Sequence, residues 1–275
     1  MGQQSEPGHG RRTALGQDKA HSARMYDYFL GGKTNYAVDR DAAEHVRRHF
    51  AAAETAARAN RAFMHRAVGC LARLGVRQFI DVGTGIPTPP NLHEVAQSVA
   101  PQCRVAYVDN DPIVLVYSDA LLDGAVEGET CYVQADVTEP AAVLDAVKSE
   151  GVIDFGQPVA LSLHALLHFI TGDDEPYQIV RRLMQELPPG SYLSLSHGTG
   201  DFAPDIWQAI IDAYTQAGTP AQVRTRAEVL QFFDGLELIE PGLVVGHRWR
   251  AEQGSGPSLV SDAQVSLYAG VARKL

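Results

Sequence analysis

The chain has few cysteines, and their spacing excludes the sites that cysteine usually builds. Of its 275 residues only Cys70, Cys103 and Cys131 are cysteines, and none of them belongs to a CxxC motif. A disulfide scaffold and a cysteine-based zinc site are therefore excluded. Isolated cysteines suit a reducing compartment, so the sequence predicts a cytoplasmic protein.

The chain also lacks a long hydrophobic run and an excess of positive charge. The best candidate for a membrane span, residues 155–172, contains Gln157, Pro158 and two histidines. It is too polar for a spanning helix, which needs about 20 apolar residues. The net charge of −10 repels phosphate backbones, and no basic patch offsets it. We therefore predict neither a membrane nor a nucleic-acid partner.

The first 75 residues differ in composition and in hydrophobic pattern from the rest of the sequence. Residues 1–21 lack the apolar core of a signal peptide and are rich in Gly, Gln, Arg and Ser, which predicts a disordered leader. Residues 22–75 predict a helical extension. Its first helix is expected to be capped by Ser22 and to end at Gly31-Gly32, and two more helices are expected over residues 39–74. The last of these carries an apolar stripe: Ala59, Phe63, Ala67, Cys70 and Leu74.

Residues 76–275 predict an α/β domain, because short β-runs alternate with helical segments. This alternation is typical of a doubly wound parallel sheet that is covered on both faces. Asn91 with Glu94, and separately Thr138, predict helix N-termini, and a further helix is expected from Pro112 to Leu122. Two closing strands are expected around the Gly/Ser-rich loop at residues 252–258. The predicted strands are residues 78–82, 104–108, 131–134, 159–163, 191–196, 235–239 and 266–272.

A glycine-containing turn follows the first predicted strand and suggests a ligand site. Ligands in open α/β sheets bind beyond the carboxyl ends of the strands, where Asp81-x-Gly83-x-Gly85 lies. A dinucleotide-binding turn needs a third glycine, but that position is Thr88, and no Gly-Lys-Ser/Thr follows, so a P-loop is excluded. A carboxylate at Asp81 suits a ligand with an amino group. The alternative is a plain turn between strand and helix.

Two more acidic residues end the next two predicted strands. Asp109 is placed to accept both hydroxyls of a ribose, or to cap the following helix, a role that Asn110 or Asp111 could also fill. Asp136 is placed to accept from an adenine amino group. One carboxylate after each of three successive strands fits an adenosine that carries a positive charge, which describes S-adenosylmethionine.

The order of these motifs, with Leu187–Gly190 before the fifth strand, resembles class I S-adenosylmethionine-dependent methyltransferases over residues 77–275. The sequence also resembles a bacterial S-adenosyl methyltransferase family first catalogued as a domain of unknown function, over about residues 22–275. This resemblance implies a Rossmann-like, doubly wound, seven-stranded sheet and S-adenosylmethionine as cofactor, but no particular acceptor. Pro87 stands where the superfamily usually has a third glycine. The segments that carry the family resemblance are Ala23–Tyr36, Asp81–Thr88, His93–Gln97 and Tyr107–Pro112.

The N-terminal signature leaves two interpretations open. Its first helix either packs its aromatic face over the edge of the sheet or forms a lid hinged at Gly31-Gly32. As a lid, Tyr28 would cover the ligand, and Lys33 or Arg24 would meet its carboxylate. The residues expected to bind the cofactor are therefore Arg24, Tyr28, Lys33, Asp81, Gly83, Thr84, Gly85, Asp109, Asn110, Asp136, Val137 and Ser162.

Histidines near the fourth and fifth strands are the candidate catalytic groups. His164 follows the fourth strand and can take a proton near neutral pH, and His168 lies one helical turn later. Both stand among leucines, so the alternative is a pair of hydrogen-bonded core residues. His197 is a third candidate or a loop cap, and no metal is expected. Trp249 either lines the acceptor pocket or is buried between Arg248 and Arg250.

The sequence thus predicts an enzyme that transfers a methyl group to oxygen or nitrogen of a small molecule. The alternative is a regulatory protein that binds S-adenosylmethionine or its demethylated product without turnover. A nicotinamide dehydrogenase is excluded by Pro87 and Thr88, which replace the glycine and amide donors that a pyrophosphate requires. The sequence indicates no oligomeric state.

Overall fold

The computed structural model describes residues 16–114, 116, 127–173, 175–251 and 260–275. Most of the predicted leader, most of the helix predicted from Pro112 to Leu122 and the loop at residues 252–258 lie outside this part of the chain. Residues 112–114, at the start of that helix, are helical. No helix among the described residues is both long enough and apolar enough to span a membrane.

The protein is built on one mixed sheet in which eight strands are described. Its strands follow the order β3-β2-β1-β4-β5-β8-β6, and the two-residue β7 pairs with β8 outside this path. Strands β1 to β5 run parallel, while β8 is antiparallel to β5, β6 and β7. The path of seven strands confirms the predicted Rossmann-like fold, and β7 is one short strand more than predicted. The strands are β1 Gln78–Val82, β2 Arg104–Asp109, β3 Glu129–Gln134, β4 Ala160–His164, β5 Tyr192–Gly198, β6 Glu237–Leu238, β7 Val244–Val245 and β8 Leu267–Arg273.

Helices cover the sheet and bury successive residues of its central strands. In β2 every residue from Val105 to Asp109 is buried, which requires cover on both faces because successive side chains alternate between them. Helix α3 packs against α4, and α5 packs against α6. The described helices of four or more residues are α1 Ser22–Phe29, α2 Ala37–His49, α3 Ala53–Arg73, α4 Leu92–Val99, α5 Pro140–Glu150, α6 Glu175–Gln185, α7 Pro204–Gln216, α8 Arg226–Gln231 and α9 Asp262–Val265.

The helical extension belongs to two hydrophobic clusters. The second half of α3 contributes Phe63 and Ala67 to the main core under the sheet. Helices α1 and α2 and the start of α3 instead pack around Ile210 and Ala213 of α7 in a second cluster. The predicted stripe on α3 is confirmed except for its last member, Leu74, which follows the final helical residue and is 55% exposed.

The helix caps show which local predictions the fold supports. Asn91 and Glu94 form the predicted capping box of α4. The predictions for Ser22 and Thr138 were wrong, because His21 caps α1 and α5 begins only at Pro140. Thr138 instead donates its backbone and hydroxyl hydrogens to Asp136.

Candidate functional site

A cavity of about 500 Å³ lies at the carboxyl ends of β1 to β5, under α1, α2, α7 and the start of α3. This volume is within the range of small-molecule sites, about 300–1,000 Å³. The sequence-predicted residues that line it are Asp81, Gly83, Thr84, Gly85, Asp109, Asn110, Asp136, Val137, His164 and His168.

The turn after β1 brings backbone close to the cavity. Gly83 and Gly85 have φ of +72° and +66°, which side-chain-bearing residues rarely adopt. A β-carbon on Gly83 would lie 2.7 Å from Leu166 Cδ1, so a larger residue there would displace the Leu166 side chain as well as strain the backbone. Asp81 lies at the cavity wall beside this turn. Burial raises the pKa of Asp81 to about 6, although a hydrogen bond from Thr84 and the charge of Arg61 oppose the rise.

The carboxylate of Asp109 ties the turn to the start of the next helix. Its Oδ2 accepts from the backbone N–H of Gly85 at 2.8 Å, and its Oδ1 accepts from the backbone N–H of Asp111 at 2.9 Å. Burial raises the pKa of Asp109. Asp111 caps the following helix by accepting from Ile113 N–H at 3.0 Å. Asp109 therefore does not cap that helix itself, and its remaining lone pairs are available to ligand hydroxyls.

The third acidic side chain is held by three hydrogen bonds. Asp136 Oδ1 accepts from the backbone N–H and hydroxyl of Thr138 at 2.9 Å and 2.7 Å, and Oδ2 accepts from Asn110 Nδ2 at 3.0 Å. Burial works to raise the pKa of Asp136, but these hydrogen bonds outweigh it and hold the pKa below its usual value. Asp136 is therefore ionised at neutral pH and fixed in position.

Arg61 is a cavity residue that the sequence prediction missed. Its Nη2 donates to the backbone carbonyls of Thr88 and Pro90, so it holds the loop that follows the glycine turn. Its Nε is buried without a hydrogen-bond partner among the described residues. Arg61 lies on α3 one position after Asn60, another missed cavity residue. The signal available in sequence was a polar pair inside an otherwise apolar helical face.

Asn60 links the roof of the cavity to its floor. Its Nδ2 donates to the hydroxyl of Tyr26 on α1 at 2.9 Å, and its Oδ1 accepts from the hydroxyl of Ser196 on β5 at 2.6 Å. Tyr26 in turn donates to the carbonyl of Ala57 at 3.0 Å. These contacts anchor α1 to both α3 and the sheet.

The two candidate catalytic histidines both line the cavity, but neither is basic. His164 Nε2 lies 2.8 Å from the hydroxyl of Ser194. Burial, with a contribution from the charge of Arg61, lowers the pKa of His164 to about 3. Burial and Arg224 lower the pKa of His168 to about 4. Both histidines are therefore uncharged near neutral pH, and their catalytic role stays a prediction.

His197 does not reach the cavity. It is fully buried, with Nδ1 at 2.7 Å from the carbonyl of Gly198 and Nε2 at 3.0 Å from Arg224 Nη1. Because arginine is only a donor, His197 Nε2 accepts this hydrogen bond and Nδ1 carries the ring proton. Burial and the neighbouring His168 hold the pKa of His197 well below its usual value, so it is a neutral structural residue.

Comparison with known proteins places this site in a family. A family model described as S-adenosyl methyltransferase matches residues 8–275. The chain belongs to the S-adenosyl methyltransferase family. Its cofactor is accordingly S-adenosylmethionine, and this membership confirms the predicted S-adenosylmethionine-dependent methyltransferase.

Two solved structures resemble this methyltransferase over nearly their whole length. A DUF574 family protein from Streptomyces avermitilis has 47% sequence identity and a TM-score of 0.91, with 95% of this chain and 100% of that chain covered. A protein from Thermobifida fusca, provisionally classed as a methyltransferase, has 34% identity and a TM-score of 0.87, with 98% and 99% covered. The comparison with curated proteins finds no match.

The structure places four of the predicted cofactor residues of this methyltransferase outside the cavity. Ser162 is fully buried within β4. Arg24 pairs with two carboxylates, with Nε at 3.2 Å from Asp111 and Nη1 at 3.5 Å from Asp39. These three side chains are nearly inaccessible, so Arg24 serves to hold α1 in place.

The other two predicted cofactor residues outside the cavity, Tyr28 and Lys33, lie on the outer side of the extension. The hydroxyl of Tyr28 donates to Glu44 Oε1 at 2.5 Å, and Lys33 is exposed. The predicted hinge is a closed turn around Asp27, whose Oδ2 accepts from Thr34 N–H at 2.9 Å and from Asn35 Nδ2 at 2.8 Å. These contacts favour the packed helix over the lid.

Trp249 belongs to the core of this methyltransferase and not to its cavity. It is fully buried and packs edge-on against Phe63, with ring centroids 5.4 Å apart. Arg250 lies beside it, with its guanidinium carbon 5.3 Å from the centre of the indole ring. Of the two interpretations of Trp249, the buried one is confirmed.

Proposed function

We propose that this methyltransferase transfers a methyl group to oxygen or nitrogen of a small-molecule acceptor held in the same cavity. The observation that carries the proposal is the division of the cavity into two chemically different halves. Carboxylates line the half at the ends of β1, β2 and β3, while the half beyond β4 and β5 is largely apolar. One half suits a cationic nucleoside and the other suits a second, different molecule.

The acidic half matches the polar groups of S-adenosylmethionine. Asp81, which is costly to ionise alone, gains a counter-charge from the ligand ammonium group. Asp109 accepts from the ribose hydroxyls and Asp136 from the adenine amino group. Arg61 completes the set by meeting the ligand carboxylate, for which its buried and unpartnered Nε is available. Thr84, Asn110 and Val137 supply the remaining wall.

The chain's own contribution to the reaction is chiefly alignment and exclusion of water. The bound cofactor supplies an electrophilic methyl group on a sulfonium centre. At neutral pH His164 and His168 are uncharged, because their pKa values are about 3 and about 4. They are weak proton acceptors there, and we infer that they orient the acceptor by hydrogen bonds. The aromatic side chains of the extension that line the cavity, Tyr26, Phe29 and Phe50, keep water away from the sulfonium centre.

Calorimetry with S-adenosylmethionine and S-adenosylhomocysteine tests the cofactor half. We expect micromolar dissociation constants, about −8 kcal/mol, and no measurable binding of NAD. Absence of binding of either nucleoside at millimolar concentration would overturn the proposed site. Incubation with methyl-labelled cofactor and a panel of small phenols and amines, followed by mass spectrometry, tests the accepting atom. Transfer to carbon alone would contradict O- or N-methylation.

A further inference from the structure

We call the half of the cavity beyond β4 and β5 the acceptor compartment. Its wall consists largely of aromatic side chains. It is formed by side chains from three separate parts of the fold: the extension, the turn after β4, and α7. Its principal members are Phe29, Phe50, Phe169, Trp207, Ile210 and Tyr214.

Two aromatic pairs give the acceptor compartment its shape. Phe50 of the extension lies against Trp207 of α7, with ring centroids 5.8 Å apart and planes inclined by 44°. Phe169, in the short turn after β4, meets Tyr214 of α7 with centroids 5.4 Å apart and planes at 63°. Walls built from ring faces and edges favour contact with another aromatic ring.

The acceptor compartment contains no formal charge at neutral pH. Apart from His21, whose Nδ1 lies 3.4 Å from Asp111 near the acidic half, the charged side chains among the described residues that line the cavity are Arg61 and the three aspartates, all on α3 or at the ends of β1, β2 and β3. Beyond β4 the titratable side chains are His168 and Tyr214. Burial keeps both neutral, because it lowers the pKa of His168 to about 4 and raises the pKa of Tyr214 well above its usual value. A charged molecule placed there would lose its hydration without gaining a counter-charge.

Hydrogen-bonding groups are nevertheless present in this wall. The Nδ1 of His168 lies 3.4 Å from the backbone N–H of Gly198 and accepts from it, so the neutral ring carries its proton on Nε2 and can donate. The hydroxyl of Tyr214 makes no hydrogen bond to another described residue, and burial alone accounts for its raised pKa. An imidazole donor and a free hydroxyl suit a ligand with one or two polar atoms on an apolar frame.

We infer that the acceptor is a small, uncharged, aromatic molecule with a hydroxyl or amino substituent, bound in the acceptor compartment. This inference rests on the proposed function, because the compartment receives an acceptor only if the cofactor occupies the acidic half. The cavity of about 500 Å³ holds both molecules, so the acceptor has one or two rings rather than an extended polycyclic frame. Phosphorylated, carboxylated and sulfonated acceptors are excluded by the absence of a counter-charge.

A matched pair of probes tests this inference by binding rather than by activity. Calorimetric titration of 2-naphthol and of 6-hydroxynaphthalene-2-sulfonate compares one bicyclic phenol with and without a negative charge. Both are titrated into the ligand-free protein and into protein saturated with S-adenosylhomocysteine. We expect 2-naphthol to bind at least about a hundredfold more tightly than the sulfonate, because desolvation of the sulfonate is uncompensated.

Two variants locate the binding. Phe169→Ala removes a ring of the acceptor compartment and is expected to weaken 2-naphthol binding by about tenfold, with unchanged affinity for S-adenosylhomocysteine. The control, Phe202→Ala, removes another partly buried ring, which packs against Tyr268 and is not among the cavity-lining residues, and is expected to change neither affinity.

The outcomes separate this inference from the function on which it rests. If S-adenosylhomocysteine binds but 2-naphthol does not, or if the sulfonate binds equally well, the acceptor class is wrong and the cofactor site stands. Loss of 2-naphthol affinity in Phe202→Ala but not in Phe169→Ala would place the ligand elsewhere and overturn the inference. If S-adenosylhomocysteine does not bind, the proposed function fails, whatever the probes do.

Discussion

Protonation of Asp81 is expected to make cofactor binding dependent on pH in the mildly acidic range. Burial raises the pKa of Asp81 to about 6, whereas an ordinary aspartate is already fully ionised there. The ligand ammonium binds the carboxylate and not the neutral acid. Raising the pH through about 6 therefore strengthens binding, and lowering it weakens binding.

The size of this effect follows from the fraction of Asp81 that is ionised. With a pKa of about 6, roughly nine-tenths of the free protein carries the carboxylate near pH 7 and roughly one-tenth near pH 5. The dissociation constant for S-adenosylhomocysteine should rise about tenfold between these values, or about 1.4 kcal/mol. Calorimetry across this range measures it directly.

A ligand without the amino-acid part isolates Asp81 from the other titrating groups. 5′-Methylthioadenosine keeps the ribose and adenine, so it senses Asp109 and Asp136 but has no ammonium group for Asp81. Its affinity should change less over the same range than that of S-adenosylhomocysteine, because titration of Asp109, whose pKa is also raised, affects both ligands alike. In Asp81→Asn, S-adenosylhomocysteine should bind more weakly near pH 7 and with a flatter pH profile. Equal pH dependence for the two ligands, or an unchanged slope in Asp81→Asn, would refute the assignment.

Three further predictions concern the cofactor half and the extension. Asp109→Ala should weaken S-adenosylhomocysteine binding about ten- to a hundredfold by calorimetry, since it removes charge-assisted hydrogen bonds of about 1.5–3 kcal/mol. Asp145→Ala, an exposed change on α5, should have no effect. Arg61→Gln should weaken S-adenosylhomocysteine but hardly alter 5′-methylthioadenosine, with the exposed Arg58→Gln as control; equal losses for both ligands would contradict a carboxylate contact. Hydrogen exchange of residues 22–36 should be slow without ligand. Protection that appears only on ligand binding would support the lid interpretation instead.

The parallel half of the fold was predictable because its signals are local. Alternating strands and helices, and acidic residues at the strand ends, place Asp81, Asp109 and Asp136 at one edge of the sheet by topology alone. The carboxyl ends of parallel strands lie at the same end of the sheet. Topology therefore brings three residues that are far apart in sequence close together, and this can be predicted without knowing how the side chains pack. The short β6 and β7 were harder, since two residues of strand carry almost no periodic signal.

The histidines and Arg61 were not predictable in this way, because their behaviour depends on neighbours from distant segments. His164 has an ordinary sequence context, and its pKa of about 3 arises from burial under the extension and from the charge of Arg61 on α3. No local sequence pattern indicates that folding will remove the His164 side chain from water. The same holds for Arg24, whose partners Asp39 and Asp111 lie on separate elements.

For the N-terminal segment, the sequence predicted a place beside the cavity but not the contacts that its polar side chains make. Arg24, Tyr28 and Lys33 were expected to face the ligand, but Arg24 and Tyr28 hold the segment itself and Lys33 is exposed. The aromatic side chains that it presents to the cavity are instead Tyr26 and Phe29. Because Asp27 closes the turn and Tyr26 bonds to Asn60, opening α1 would exchange these hydrogen bonds for water, at a net cost of about 0.5–1.5 kcal/mol each, and would also expose apolar surface. We therefore propose that the segment is a fixed roof over the cavity, and that the aromatic wall of the acceptor compartment forms where this roof and α7 share one hydrophobic cluster.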